Sequence, residues 1–345
     1  MLPADLPSDM PTFIARFGTD EACRAHLFAE RWPDGFGCHR CGHARCYPHT
    51  TRLIYECADC GKQHSLLAGT IFEQTKTGLS KWFLAIFLVT SSKGGISAAE
   101  LKRQLGFGSD QTAWVWLHKI RRAMVAPDRQ PLSGVVEADE AFIGARKPGK
   151  RGRGAEGKSI VACAVEKRQI VVAPRALDPS LKGIARQKAA AMKLKPRRVL
   201  GRVRLAHVPD ATAATLEAFL KAAVGPPATV TTDGHAGYPG LVRDGVAHAP
   251  INLSKTWGDA ILHLPAVHLL FSHLKRWLLG THHGGVSPKH LPRYLDEFVF
   301  RFNRRTAKSI AHRFQRVIEI AVDTAATTYW QIVGRRSANL KVVEG

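Results

Sequence analysis

Four residues stand at intervals that suggest chemistry: Asp139 in VVEADEAFIG, Asp233 in TVTTDGHAGY, and His268 and Lys275 at either end of HLLFSHLK. His268 lies 35 positions after Asp233 and seven before Lys275. Cutting and rejoining phosphodiesters uses two divalent cations about 3.5–4 Å apart, one activating the attacking oxygen and one stabilising the leaving oxygen. Hard Mg²⁺ prefers carboxylate oxygen and keeps positions open for water and phosphate, so acids at the ends of neighbouring strands are suitable ligands. His268, Ser272 and Lys275 recur at four and three residues and so share one face of a helix, which would aim His268 inward and Lys275 at a phosphate. Other readings remain open at this point. TTDG is also an ordinary turn sequence, and Glu137, on the same strand face as Asp139, or the adjacent Glu140 can take its place in the set.

A second group is unambiguous in spacing. CHRC at 38–41 and CADC at 57–60 give C-x2-C-x15-C-x2-C, two knuckles that can close a tetrahedral Zn²⁺ site through Cys38, Cys41, Cys57 and Cys60. Gly42 and Gly61 follow the knuckles, as a turn with positive φ requires. Four thiolates leave no open position, so the expected role is structural. Cys46, His39, His43, His49 and His64 are read as bystanders.

The elements that must position these groups can be read from the pattern. An apolar helix is expected over 79–91. Ser97 and Glu100 have capping-box spacing for a helix to about Leu105, and Ser109 can cap another running to about Met124. The turn between them contains Gly106 and Gly108, which fits a helix-turn-helix with Gln111, Thr112, Trp114 and His118 near the front of its second helix. Many helical hairpins share this pattern and bind nothing. Gln111 and Thr112 are the candidate DNA contacts. From residue 133 the pattern changes to strands near 133–144, 159–166 and 202–208, a helix at 211–224, strands at 228–234 and 246–251, and a helix at 265–279. That order of elements is the order of a ribonuclease-H-like mixed sheet with flanking helices. The expected architecture is thus multidomain α/β: an N-terminal segment with a zinc ribbon (1–66), a helical DNA-binding region (70–130), a catalytic α/β domain (133–306) and a helical tail (307–345).

Composition narrows the partners. Fifty Lys and Arg against 28 Asp and Glu give a net charge of +22, which points to a polyanion, with nucleic acid leading. Residues 145–204 hold 18 basic and three acidic residues, so +15 of the charge comes from one region. Its Gly-rich loop, ARKPGKRGRGAEGK, does not lead from a strand into a helix in the manner of a nucleotide-binding loop, and 175–198 reads as an insertion. The apolar run Trp82–Val89 is too short to span a bilayer, so no membrane partner is expected. The opening MLPADLPSDM lacks the pattern of a secretory signal. Seven cysteines with four in knuckles fit a reducing compartment, the cytoplasm. His282 and His283 in GTHHGG are expected as solvated loop residues near DNA. Phe298, Phe300 and Phe302 are expected in packing, and the amphipathic stretch after 310 as a helix that packs or dimerises.

Taken with these residues, the chain resembles insertion-sequence transposases that carry an N-terminal zinc ribbon and a DDE-type ribonuclease-H-like domain. VEADEAFIG looks like their first-aspartate strand, TDGHAGY like their second, and LKRWLLGTHHGGVSPKHLPRYLDEFVFRFNRR resembles their C-terminal signature. The resemblance covers about residues 30–305. It implies recognition of an element's terminal inverted repeats, metal-dependent strand cleavage and transfer into target double-stranded DNA, and a homo-oligomer on that DNA. It also implies a catalytic set of Asp139, Asp233, His268 and Lys275, with His268 in the place of the third acid as in a DDHK variant, and Arg276 beside Lys275 on DNA. Mg²⁺ or Mn²⁺ is the implied catalytic ion, and imidazole suits the softer Mn²⁺ better. The alternative is a catalytically inactive DNA-binding regulator or domesticated relic.

Overall fold

The computed structural model describes residues 6–49, 52–144, 158–170, 180, 182–184, 197–233, 242, 245–251, 263–284, 286–307 and 309–334. Most of the basic loop at 145–157 and of the insertion at 175–198 lies outside these residues. The chain forms two compact units, one of residues 130–276 and one built from 1–129 together with 277–345.

The α/β unit holds five strands: β4 (Leu132–Ile143), β5 (Ser159–Ile170), β6 (Arg197–Val208), β7 (Val224–Thr232) and β8 (Val246–Pro250), ordered β6-β5-β4-β7-β8. β4, β5 and β6 pair antiparallel, whereas β7 joins β4 and β8 joins β7 in parallel. This is the ribonuclease-H-like sheet expected from the order of elements. The step from β6 to β7 passes through helix α6 (Ala213–Ala223), because placing β7 parallel beside β4 needs a crossover. Thr212 caps α6 by accepting from Thr215 N, and Leu216, Leu220 and Ala223 recur on the face that packs on Val136, Ala138, Ala162, Ala164 and Val230.

The other unit has two layers of a different kind. Helices α1 (Met10–Phe17) and α2 (Asp20–Arg31) precede a three-stranded ribbon of β1 (Cys46–Pro48), β2 (Ile54–Cys57) and β3 (Gln63–Ser65), all antiparallel. Helices α3 (Leu79–Ser91), α4 (Ala98–Leu105) and α5 (Asp110–Arg122) follow. Ser97 caps α4 through Glu100 N, and Ser109 caps α5 through Thr112 N at 3.2 Å. Gly106, at φ 63°, ends α4 in the left-handed conformation that glycine adopts without a Cβ penalty. On α5, Ala113, Trp116, Leu117 and Ile120 are buried at helical spacing, and Trp116 stacks on Trp82 of α3 with ring centroids 3.6 Å apart.

Helix α7 (Pro265–His282) links the units in sequence, and α8 (Leu291–Asn303), α9 (Ile310–Asp323) and the short α10 (Tyr329–Val333) complete the chain. The stretch after 310, left open between packing and dimerising, packs inside its own unit: Phe314 lies within about 6 Å, ring to ring, of Phe13, Phe17, Phe83 and Phe87. Phe298 and Phe300 are buried as expected. A buried ion group ties α8 to α5. Glu297 accepts from Arg121 Nε and Arg301 Nε, each at 2.8 Å, and Arg301 NH1 donates to Ser92 O at 2.7 Å. His282, expected as a solvated loop residue, is instead the last residue of α7, set edge-on to Tyr294 and Trp277, and burial with the Arg121 charge lowers its pKa to about 4. The helix continues one turn further than its pattern indicates because Trp277 and Thr281 both donate to Gly94 O. Among the described residues no helix is long and apolar enough to cross a membrane.

Candidate active site

β4 carries the first acids. Side chains alternate along a strand, so Glu137 and Asp139 share a face, and α7 covers it. Glu137 is fully buried, and its Oε2 accepts from Ala266 N at 2.7 Å and Val267 N at 3.2 Å, the unsatisfied donors of the first turn of α7. Lys167 Nζ of β5 lies 2.8 Å from the other oxygen. Glu137 therefore serves as the N-terminal cap of a helix that begins 128 positions later in the sequence. A short-range capping motif cannot reveal this, since partner and helix are so far apart.

The cap fixes where the first turn of α7 stands, and His268 is in that turn. Its Nε2 comes to 3.9 Å from Asp139 Oδ2. That nitrogen is shielded from solvent and has no hydrogen-bond partner. Asp139 Oδ1 accepts from Glu140 N at 2.8 Å. Burial lowers the pKa of His268, the Glu137 charge raises it and the Lys275 charge lowers it, with a net shift downward. The ring is neutral near pH 7, the form that ligates metal. Opposite Asp139 on β5, Cys163 is fully buried, and burial followed by the charges of Asp139 and Glu137 pushes its thiol up, so it stays protonated and inert.

Asp233 follows β7 directly. Glu137 pairs with Thr231 at the end of the parallel ladder, and Asp139 and Asp233 each lie two residues beyond it; Asp139 is not at a strand end as expected, because β4 continues to Ile143 in its pairing with β5. Beyond Asp233 the chain at 234–241 is outside the described residues. Lys275 and Arg276 are both exposed on α7, Lys275 two turns beyond His268. The structure thus brings Asp139 and His268 together and sets Asp233 by strand register and Lys275 by helical periodicity. Among the described residues only the knuckle cysteines gather three or more metal-ligating side chains, so Asp233 is not drawn together with Asp139 and His268.

The four knuckle cysteines converge. Their Sγ atoms all lie within 4.8 Å of one another, with Cys38 to Cys60 at 3.6 Å and Cys41 to Cys57 at 3.5 Å. A tetrahedron of Zn–S bonds of about 2.3 Å places sulfurs about 3.8 Å apart, so the residues fit structural Zn²⁺. Gly42 N donates to Cys38 O and Gly61 N to Cys57 O, with φ of 75° and 67°, the knuckle turns expected from sequence. His64 is more than a bystander: it is buried, and its Nε2 lies 3.4 Å from Cys38 Sγ, an outer-shell partner of the kind that orients metal ligands.

In the helix-turn-helix, Gln111 and Thr112 are exposed at the start of α5, with the Thr112 hydroxyl 2.9 Å from the capping Ser109 hydroxyl. Trp114 and His118 are different. His118 is buried and half-buried Trp114 packs on it at 4.2 Å, ring to ring, so His118 does not present its polar atoms outward as a recognition helix would require. Their spacing, four apart, reports the core side of α5.

Comparison with known proteins identifies the two parts of the chain. Residues 131–303 match the model of the ISXO2-like transposase domain, and residues 18–63 match the transposase zinc-ribbon domain. An uncharacterized protein in transposable element ISH50 of Halobacterium salinarum is 25% identical over 287 residues, covering 80% of this chain and 89% of that protein.

Proposed function

Because this chain belongs to the family of ISXO2-like transposases, whose match spans its α/β unit and is preceded by a transposase zinc ribbon, we propose that it cleaves the ends of its insertion element and joins them to target DNA in a metal-dependent reaction. The observation that carries the reading is the approach of His268 Nε2 to Asp139 Oδ2, 3.9 Å, on a strand whose parallel neighbour ends in Asp233. Asp139, Asp233 and His268 would hold the divalent cations. These ions supply activation of the attacking oxygen and charge neutralisation at the leaving oxygen. Glu137 holds the helix that carries His268. Lys275, and Arg276 beside it, would contact phosphates flanking the scissile bond and hold the DNA end in register. The neutral His268 would serve as a nitrogen ligand or would orient the attacking water.

The zinc ribbon, Gln111 and Thr112 on α5, and the basic region 145–204 would bind double-stranded DNA at the element ends, two copies of the chain pairing two ends. Cytoplasmic action follows from the thiolate zinc site and from the DNA substrate. We retain the boundaries 1–66, 70–130, 133–306 and 307–345 as functional segments of the chain. One observation favours a second reading, a DNA-binding relic without cleavage: an imidazole stands where an acid would bind Mg²⁺ more firmly. A labelled duplex bearing the element's own ends separates the two readings. Nicking at the boundary with Mg²⁺ or Mn²⁺, lost in Asp233→Asn while binding persists, supports the transposase. Tight binding without nicking under either ion supports the relic.

A further inference from the structure

The helical unit holds a cavity that none of the proposed steps uses. It measures about 420 Å³ and is walled by His118 and Arg122 of α5, by Lys289 and His290 just before α8 with Arg293 in its first turn, and by Gln331 of α10. A cavity of this size is in the range that accepts a small ligand or a segment of polymer backbone. Its chemistry is one-sided. Arg122, Lys289 and Arg293 are cationic, and the nearby acids are already engaged. Asp296 pairs with Arg293 at 2.8 Å, and Glu297 is taken by Arg121 and Arg301. Lys289 Nζ donates to the Val333 carbonyl at the end of α10.

The decisive residue is His118. It is 2% exposed, lines the cavity, and its Nε2 has no hydrogen-bond partner; Arg122 Nε is likewise shielded and unpartnered. Buried polar atoms are nearly always paired, so two orphan nitrogens on the same wall mark a ligand's place. The ring is held by Trp114 at 4.2 Å, His290 at 5.1 Å and Tyr294 at 5.8 Å, all measured between ring centroids. It cannot turn away to find a partner elsewhere. Burial first, then the positive charges of Arg121 and its neighbours, bring its pKa to about 2. It is therefore neutral in the empty cavity, with one N–H to donate. The donors come from α5 and from the segment that enters α8, and three of them suit the several acceptor oxygens of a tetrahedral oxyanion.

We propose that this cavity is a phosphate-binding site, in which His118 Nε2–H, the Arg122 guanidinium and Lys289 Nζ donate to the oxygens of one phosphate group and Arg293 balances its charge. The phosphate can belong to a DNA backbone or to a small phosphorylated molecule, and the test distinguishes these sources. The proposal does not depend on strand cleavage, and its readout is separate from nicking.

The experiment uses the full zinc-loaded chain with ¹⁵N-labelled histidine and follows the imidazole resonances of His118. Inorganic phosphate and a short element-end duplex, in a buffer free of other polyvalent anions, are titrated separately. Saturable movement of the His118 signals by phosphate is expected. Lys289→Ala, at an exposed position, and Arg122→Gln should each weaken it about tenfold or more, the loss of one charge-assisted hydrogen bond. If the duplex moves the same signals and phosphate competes with it, the ligand is backbone phosphate. If the duplex binds without moving them while phosphate does, the ligand is a small phosphorylated molecule. The proposal is overturned if neither probe moves His118, or if both variants, folded by circular dichroism, respond as wild type does.

Discussion

Replacing Glu137 separates a residue that holds the active helix from one that holds metal. Glu137→Gln keeps an amide oxygen able to accept from Ala266 N and Val267 N, now at 2.7 and 3.2 Å from Oε2, but removes the charge. Hydrogen bonds to a charged group contribute about 1.5–3 kcal/mol each and neutral ones about 0.5–1.5. The amide nitrogen would also face Lys167 Nζ, donor against donor, where the ion pair is 2.8 Å long. That lysine is about a third exposed, so the pair itself adds little. The expected loss is about 2–3 kcal/mol for the α/β unit, read as a lowered urea midpoint at unchanged slope. Glu137→Ala, which leaves two buried helix-end donors unsatisfied, should cost more, about 3–5 kcal/mol. Below its unfolding midpoint the Gln variant should retain metal-dependent nicking at a reduced rate, whereas Asp139→Asn should abolish it at little cost in stability. If Glu137→Gln unfolds at the wild-type midpoint and yet nicks no DNA at any metal concentration, Glu137 is a ligand and the capping argument is wrong.

Further outcomes follow from other parts of the chain. Chelating zinc, or Cys57→Ser, should unfold the ribbon and weaken DNA binding while leaving the sheet intact; ribbon resonances unchanged on chelation would remove zinc from the structure. Glu297→Ala should destabilise the helical unit by about 3–5 kcal/mol, because Arg121 and Arg301 lose a buried counter-charge, and a wild-type melting curve would refute it. Burial raises the pKa of Glu297, but Arg301 and Arg121 outweigh that and hold it at about 2. Its contribution is therefore complete above the unfolded carboxylate value near 4.5 and is lost as pH falls toward 2. A pH titration of stability should show that loss in wild type and not in the Ala variant. DNA affinity should fall steeply with salt if residues 145–204 reach phosphates; a flat dependence would count against that assignment.

The zinc knuckles, the two capped helices and the order of strands were legible because each rests on local rules: fixed Cys spacing, Ser at N-caps, alternation along strands. Asp233 was legible as a strand-end acid for the same reason, whereas Asp139 lies within β4, which runs on to Ile143. The capping role of Glu137 was not, since it depends on a helix that the chain reaches only at Pro265. Nor was the burial of His118 against His290 and Tyr294, which lie about 170 positions later in the sequence. The first two helices were overlooked although Asp9 and Thr19 cap them, because Met, Pro and charged residues dilute the apolar face that only Phe13, Phe17, Cys23 and Leu27 define. Sequence carries the local half of such a site, and tertiary contact supplies the rest.

The placement of Phe314 among Phe13, Phe17, Phe83 and Phe87 bears on how the chain is made. On the ribosome the first five helices emerge with a hole in their aromatic core, since Phe314 lies 190 positions beyond Met124. At roughly 5–20 residues per second the gap lasts about 10–40 s, during which the intervening α/β unit can fold on its own. A copy interrupted before residue 310 never receives its closing helix, and Phe13, Phe17, Phe83 and Phe87 are left without the ring that packs among them.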